Sequence, residues 1–389
     1  MTHPAVPLLA DLIRRPSVTP VEDGVLDVLE AFLSPLGFVC TRLKFEGDGS
    51  YPVDNLYATR KGSQPGPHLL FAGHTDVVPT GDATAWTHDP FSGAIVDDVM
   101  WGRGATDMKS GVAAFCGAMA QLAATGALEK GTVSLAITND EEADAVNGTK
   151  KLLEWAEAQG EKYDFAIVGE PSSFETFGDS IKIGRRGSVS GRITVIGKQG
   201  HAAYPQRANN PMPVAADIVK ALYVPLDDGT EHFQPTNLEV TSIDTGNPAS
   251  NVIPERTTLR FNVRFNDTWT GETLLAEIHR RLAEVDMRGC SIAFEQIGPI
   301  SRCFVSQPEG HVAHLCDVME AFNGIRPQLS TIGGTSDARF ISLYCPVVEC
   351  GLIGATMHQV DERVPVADVE RLAEFYALYV EKFLLGEPA

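Results

Sequence analysis

Residues 7–15 and 24–33 repeat apolar side chains at helical spacing, the first run stopped by Pro16, so two helices open the chain. Residues 38–45 and 55–60 read as strands across a Gly/Asp/Pro-rich loop. Leu69, Leu70 and Phe71 then form an apolar run after a Pro/Gly-rich turn. The run predicts a buried strand that stops at Gly73, where His74, Thr75 and Asp76 begin. GRGATD, ending at Asp107, reads as a loop, and MKSGVAAFCGAMAQLAA after it as a helix of small apolar residues. Asp107 therefore sits at or just before a helix N-terminus, where an N-cap is the ordinary role of an aspartate. GTVSLAIT (131–138) is another buried strand, and it ends in Asn139, Asp140, Glu141 and Glu142. A helix over 148–158 and a strand over 165–169 follow, the latter ending in Glu170.

Three apolar strands thus end in His74, in Glu141/Glu142 and in Glu170. Strands alternating with helices imply a largely parallel sheet, whose carboxyl ends form one rim where ligands bind. From about residue 183 the pattern changes. Strands over 188–196, 237–244, 257–265 and 290–294 and helices over 213–222 and 273–283 give the order β-α-β-β-α-β, a ferredoxin-like split unit. The sheet-and-helix pattern resumes with a helix over 312–322, the segment STIGGTSDARF, a strand over 347–349 and a helix over 366–383, with GATMHQVDE delivering His358. The expected fold is an α/β sheet sandwiched by helices, with residues 1–182 and 298–389 forming one domain and 183–297 an inserted α+β domain.

A chain of 389 residues is long for one core, which agrees with more than one domain. The net charge of -20 argues against nucleic acid or an anionic membrane as partner, since either would require a basic face. No apolar run approaches the ~20 residues of a membrane span, and the N-terminus lacks a basic start and cleavage site, so a cytoplasmic location is expected. The seven cysteines are scattered without a CxxC pair, the usage of reduced thiols, and a thiolate metal site is not expected.

The remaining polar residues point to a metal chemistry of oxygen and nitrogen ligands. A histidine at a strand end can bind a metal while a neighbouring carboxylate, here Asp76, fixes its tautomer. Two metal ions with oxygen and nitrogen ligands need one carboxylate between them and about two further protein ligands each. His74, Asp107, Glu142, Glu170 and His358 supply that set. Asp107 is assigned as the bridge, with His74 and Glu170 on one side and Glu142 and His358 on the other. Glu141 is left unligated and available as a general acid/base.

GHTDVVP, GRGATDMKSG, the Glu141/Glu142 pair, VGEP and the late TMH together resemble the M20 family of co-catalytic metallopeptidases and amidohydrolases, over nearly the whole chain. The resemblance implies two zinc ions per subunit, with cobalt or manganese as acceptable substitutes, held by the five ligands above. It further implies Asp76 beside His74, Glu141 as proton carrier and an Asp107-Met108 peptide in the cis form. Relatives are homodimers, and the resemblance implies that the inserted domain is a lid whose His201, in GKQGHAAYP, reaches the partner's site to stabilise an oxyanion.

SIKIGRRGSVSGRITVIGKQGHAAYP, NVIP, FNVRF and GGTSDARF are most similar to family members that release succinate from N-succinyl-LL-2,6-diaminopimelate, a small substrate with three carboxylates. Arg185 and Arg264 are expected to grip these groups bidentately, with Lys182, Ser188, Tyr204, Asn251, Gly334 and Thr335 assisting. Acetylornithine deacetylation, dipeptide hydrolysis and a non-catalytic scaffold are the alternatives. One departure is Gly354, where relatives often carry an asparagine.

Overall fold

The computed structural model describes residues 3–386. The described residues divide into two compact units, one built from 3–184, 306–330 and 336–386 and the other from 185–305 with 331–335.

In the first unit an eight-stranded sheet runs in the spatial order Val39–Gly47, Ser50–Lys61, Lys130–Thr138, Gln64–His74, Phe165–Val168, Val347–Glu349, Ser180–Lys182 and Gln328–Ser330. Its centre is parallel: His74 lies opposite Thr138, Ala72 opposite Val168 and Glu349 opposite Val168. The strand carrying His74 is buried continuously from Leu69, the pattern of a strand covered on both faces. Its core is aromatic. Phe71 stacks on Phe115 at 4.1 Å, and the Tyr376 ring stands edge-on to both, joining the helices Lys109–Thr125 and Val366–Leu385 to the sheet. Truncating one such ring to alanine costs about 3–5 kcal/mol, more than any single surface contact contributes.

Small residues in the helix Lys109–Thr125 allow a close approach that larger ones would block. A Cβ on Gly111 would meet the Gly169 carbonyl oxygen at 2.2 Å, so the start of this helix rests directly on the strand end that leads into Glu170. That contact brings the loop ending in Asp107 beside the rim.

The Gly/Asp/Pro-rich stretch expected as a loop between the first two strands is mostly strand, closed by a tight hairpin turn. Gly47 pairs with Ser50, and the two residues between them, Asp48 and Gly49, both have positive φ, which is the two-residue turn matched to strand twist. The strands accordingly extend to 39–47 and 50–61, beyond the apolar runs that announce them.

The second unit has a four-stranded antiparallel sheet in the order Asn237–Asp244, Arg256–Phe265, Gly187–Ile196 and Ser291–Ser301, with the helices Pro211–Leu222 and Gly271–Ala283. Alternate residues Val189, Ile193 and Val195 and Leu259, Phe261 and Val263 pack with Val214, Ile218, Leu274 and Ile278 into one core. The Asp227 carboxylate ties its loops. It accepts hydrogen bonds from the backbone N–H of Gly229 and Thr236, from Asn266 Nδ2 and from Trp269 Nε1.

Candidate metal centre

The strand ending at His74 places its imidazole, almost wholly buried, at the rim. Nδ1–H donates to the Asp76 main-chain oxygen at 2.9 Å, which directs the Nε2 lone pair outward to the other candidate ligands. Sequence reasoning gave this orienting role to the Asp76 carboxylate. That carboxylate lies 3.6 Å from Nδ1, and its hydrogen bonds go elsewhere: from Thr19 Oγ1 at 2.7 Å, Glu142 N at 3.1 Å and Glu141 N at 3.3 Å. Asp76 thus fixes the histidine tautomer through its backbone and the Glu141–Glu142 turn through its side chain.

Asp107 precedes the helix Lys109–Thr125 but caps nothing with its side chain; the peptide to Met108 is cis. Its two oxygens face two different histidines. Oδ1 lies 3.2 Å from His74 Nε2, and Oδ2 lies 3.2 Å from His358 Nε2. His74 Nε2 is also 3.4 Å from Glu170 Oε1, and His358 Nε2 is 3.2 Å from Glu142 Oε1. Two triads result, His74–Asp107–Glu170 and Asp107–Glu142–His358, each with ligand atoms within 4.8 Å of one another and sharing only Asp107.

The charge state of this cluster tests its fitness for cations. Four carboxylates, those of Asp107, Glu141, Glu142 and Glu170, gather around two imidazoles. Burial alone would lower the His74 pKa, yet hydrogen bonds to Asp107 and Glu170 hold it well above its usual value. Hydrogen bonds to Asp107 and Glu142 raise His358 to about 10. Burial, with Asp107 adding to it, pushes Glu170 up to about 7. Burial also works to raise Asp107, but the two histidines outweigh it and hold this carboxyl below its usual range. Divalent cations would balance this negative charge directly, and an all oxygen and nitrogen donor set without thiolates suits zinc, cobalt or manganese.

Glu141 is half-buried and belongs to neither triad. Burial, together with the carboxylates of Glu170, Asp337 and Glu142, raises its pKa well above the usual range, with His74 opposing. An unligated carboxyl in this position can pass a proton to and from a neighbouring group. The run of acids at this strand end is divided by role. Asp140 beside it is structural, accepting from Tyr51 Oη and from the backbone N–H of Ala145, Val146 and Asn147.

Two buried charged residues that sequence reasoning passed over flank the Asp107 and His358 loops in the chain. Glu362, fully buried, accepts from the backbone N–H of Thr106 and Asp107 and pairs with Arg103. Lys109, also fully buried, donates to the main-chain oxygens of Leu12 and Arg15, and burial brings its pKa down to about 7. Among the expected substrate residues, Lys182 also lies in the first unit. It donates to the Pro171 carbonyl at 2.7 Å and stands 4.0 Å from Glu349, anchoring the turn after Glu170. At Gly354, a Cβ would sit 3.2 Å from the Pro171 Cβ and 3.3 Å from Met357, leaving little room for a side chain.

The other expected substrate residues belong to the second unit. Arg185 is buried and donates to the Gly334 carbonyl at 3.1 Å, beside Thr335. Ser188 lies across the sheet from Arg264, and its hydroxyl accepts from Asn262. Burial and the neighbouring Arg186 press down the pKa of Arg264, so an anion there would relieve it. His201 and Tyr204 are exposed, with ring centroids 5.7 Å apart, and the Asn251 carbonyl accepts from Ala202 N. His201 Nδ1 accepts from Ala203 N, so in the neutral ring the proton sits on Nε2, the tautomer able to donate.

Known structures share this fold. An M20 family metallo-carboxypeptidase from Sulfolobus solfataricus superposes with a TM-score of 0.78 at 17% identity, covering 98% of this chain and 99% of that one. A tripeptidase from Staphylococcus aureus gives a TM-score of 0.78 at 17% identity, covering 98% of both chains. A dinuclear metal-binding M20 peptidase from Bacillus subtilis gives 0.65 at 16%, covering 98% and 97%. The profile of peptidase family M20/M25/M40 matches residues 70–382, a span that contains all five candidate ligands and Glu141. The chain therefore belongs to peptidase family M20/M25/M40 and is a metal-dependent hydrolase of amide bonds.

Proposed function

We propose that the protein is a succinyl-diaminopimelate desuccinylase, a cytoplasmic homodimer that hydrolyses N-succinyl-LL-2,6-diaminopimelate to succinate and LL-2,6-diaminopimelate. The observation that carries the hydrolytic part is the placement of the two Asp107 oxygens against separate histidine-carboxylate groups, with Glu141 left over. The choice of substrate rests on the sequence motifs around Arg185 and Arg264 and on the buried guanidinium of Arg185.

In this reading His74, Asp107 and Glu170 would hold one zinc ion and Asp107, Glu142 and His358 the other. When bound, the ions supply Lewis acidity that polarises the amide carbonyl and acidifies water. Glu141 takes the proton from the attacking water at its carboxylate and returns it to the departing amine nitrogen, so the amide C–N bond breaks with no net proton change on the enzyme. His201 of the partner subunit donates from Nε2–H to the oxyanion. Arg185 and Arg264 hold substrate carboxylates, with Lys182, Ser188, Tyr204, Asn251, Gly334 and Thr335 completing the polar surroundings. Local arginines are needed because a chain of net charge -20 repels a tricarboxylate at long range.

The test compares amide loss from N-succinyl-LL-diaminopimelate, from N-acetylornithine and from a dipeptide, each with zinc-loaded and chelator-stripped protein. Zinc-dependent cleavage of the succinyl substrate in preference to the others supports the assignment. A preference for acetylornithine or the dipeptide would keep the hydrolase and reject the arginine argument.

A further inference from the structure

The loop ending in Asp107 and the loop carrying His358 come from opposite ends of the sequence, yet one buried ion pair holds both. Glu362 is fully buried. Its Oε1 accepts from Thr106 N at 2.8 Å and Asp107 N at 3.1 Å, and its Oε2 accepts from Arg103 Nη1 at 2.7 Å. Its main-chain oxygen accepts from Gly102 N at 2.9 Å. Arg103 Nη1 also donates to the main-chain oxygen of Gln359, the residue after His358, at 3.1 Å, and Nη2 donates to that of Pro79 at 3.2 Å. The Arg103 guanidinium lies over the Trp86 ring, 5.2 Å from its centroid. Immediately beyond, Arg363–Pro365 pairs with Val99–Trp101.

A carboxylate withdrawn from water persists only when paired and hydrogen-bonded. Here the filled positions are the backbone amide of Asp107 itself and that of the residue before it. We propose that Glu362 is the positioning residue of the metal centre, setting the Asp107 carboxylate at the height where its two oxygens serve both triads while its partner Arg103 steadies the His358 loop. The inference rests on the metal reading of those ligands. A glutamine cannot replace Glu362. If its oxygen faces the two amides, its NH2 meets the Arg103 guanidinium; if reversed, its NH2 meets the amides.

The experiment is a Co2+ titration of the full-length, chelator-stripped chain, followed by visible absorption and calorimetry. It compares wild type, Glu362→Gln and Val133→Ala, the last a core substitution in the sheet at the end away from the rim, at a temperature where all are folded. Wild type is expected to take up two Co2+. Glu362→Gln should weaken both by roughly 10- to 100-fold, the usual effect of losing a group that orients a ligand. Val133→Ala should keep wild-type affinity despite its lower melting temperature. Wild-type binding of both ions by Glu362→Gln, or an equal loss in Val133→Ala, would overturn the proposal. If Glu362→Gln does not fold, Glu362→Asp gives the same reading, because it keeps a charge for Arg103 but draws the acceptor away from the amides. Failure of the wild type to bind Co2+ would instead overturn the metal reading beneath it.

Discussion

Asp76→Asn separates the two tasks assigned to Asp76. The side chain accepts from Glu142 N and Thr19 at Oδ2 and from Glu141 N at Oδ1, in a fully buried position. Asparagine retains one acceptor oxygen. Placed at the Oδ2 position, it keeps two of these bonds and turns its NH2 against Glu141 N, leaving one buried amide without a partner. That costs about 2 kcal/mol, within the ~1–3 kcal/mol of an unsatisfied buried donor. In a unit of this size the melting temperature should fall by roughly 4–8 °C. The His74 tautomer should survive, because its Nδ1–H donates to the Asp76 backbone oxygen, which the substitution does not touch. We therefore expect a clear loss of stability and of turnover, as Glu141 shifts, with Co2+ affinity reduced by less than about tenfold. Scanning calorimetry and Co2+ titration on the same preparations measure both quantities. Unchanged stability together with a hundredfold loss of Co2+ affinity would refute the reasoning and return the orienting role to the carboxylate.

Glu141→Gln should retain two bound metals by elemental analysis while kcat falls by roughly 10²–10⁴-fold, the range for losing a general acid/base; turnover near wild type in metal-loaded protein would remove Glu141 from the chemistry. Arg185→Ala should lower kcat/KM for the succinyl substrate by roughly 10- to 100-fold, as expected for a lost charged hydrogen bond, with little change for an N-acetyl substrate. Acid should loosen the second unit through Asp227. Burial works to raise this carboxyl, but hydrogen bonds from Thr236, Trp269 and Gly229 hold it below its usual value, so it contributes stability above the unfolded pKa near ~4 that is lost as pH falls through the lower folded value. Asp227→Asn should be less stable at neutral pH and lose part of the wild-type decline seen as the pH falls below about 4, as followed by near-UV circular dichroism.

The rim was legible because the signals that mark it are local. Leu69 to Ala72 and Phe165 to Val168 are continuous apolar runs, and a buried strand of that kind can only meet polar residues where it ends, at His74 and Glu170. The order of elements in the second unit was legible for a similar reason, since alternation and helical spacing mark each segment. What escaped depends on contacts between distant segments. Glu362 and Arg103 look like solvated charges in sequence, and only the pairing of Arg363–Pro365 with Val99–Trp101 buries them together. Lys109, inside a helix of small residues, is hidden for the same reason, its ammonium meeting carbonyls at the end of the first helix. The orienting partner of His74 was misread because a main-chain oxygen leaves no mark in a sequence of side chains.

The order in which the ligands occur along the chain has a consequence for biogenesis. His74, Asp107 and Glu170 have all been synthesised by residue 170, but the second triad waits for His358, and the Asp107 loop waits for Glu362. At about 5–20 residues per second, the ribosome needs roughly 10–40 s to cross that interval. During it the nascent chain can offer a cation only a half-assembled site, with the shared aspartate not yet held by its late glutamate. A site for two ions can therefore be complete only after Glu362 has been made and has folded back onto the Asp107 loop, so the metal supply that matters is the one met after that point.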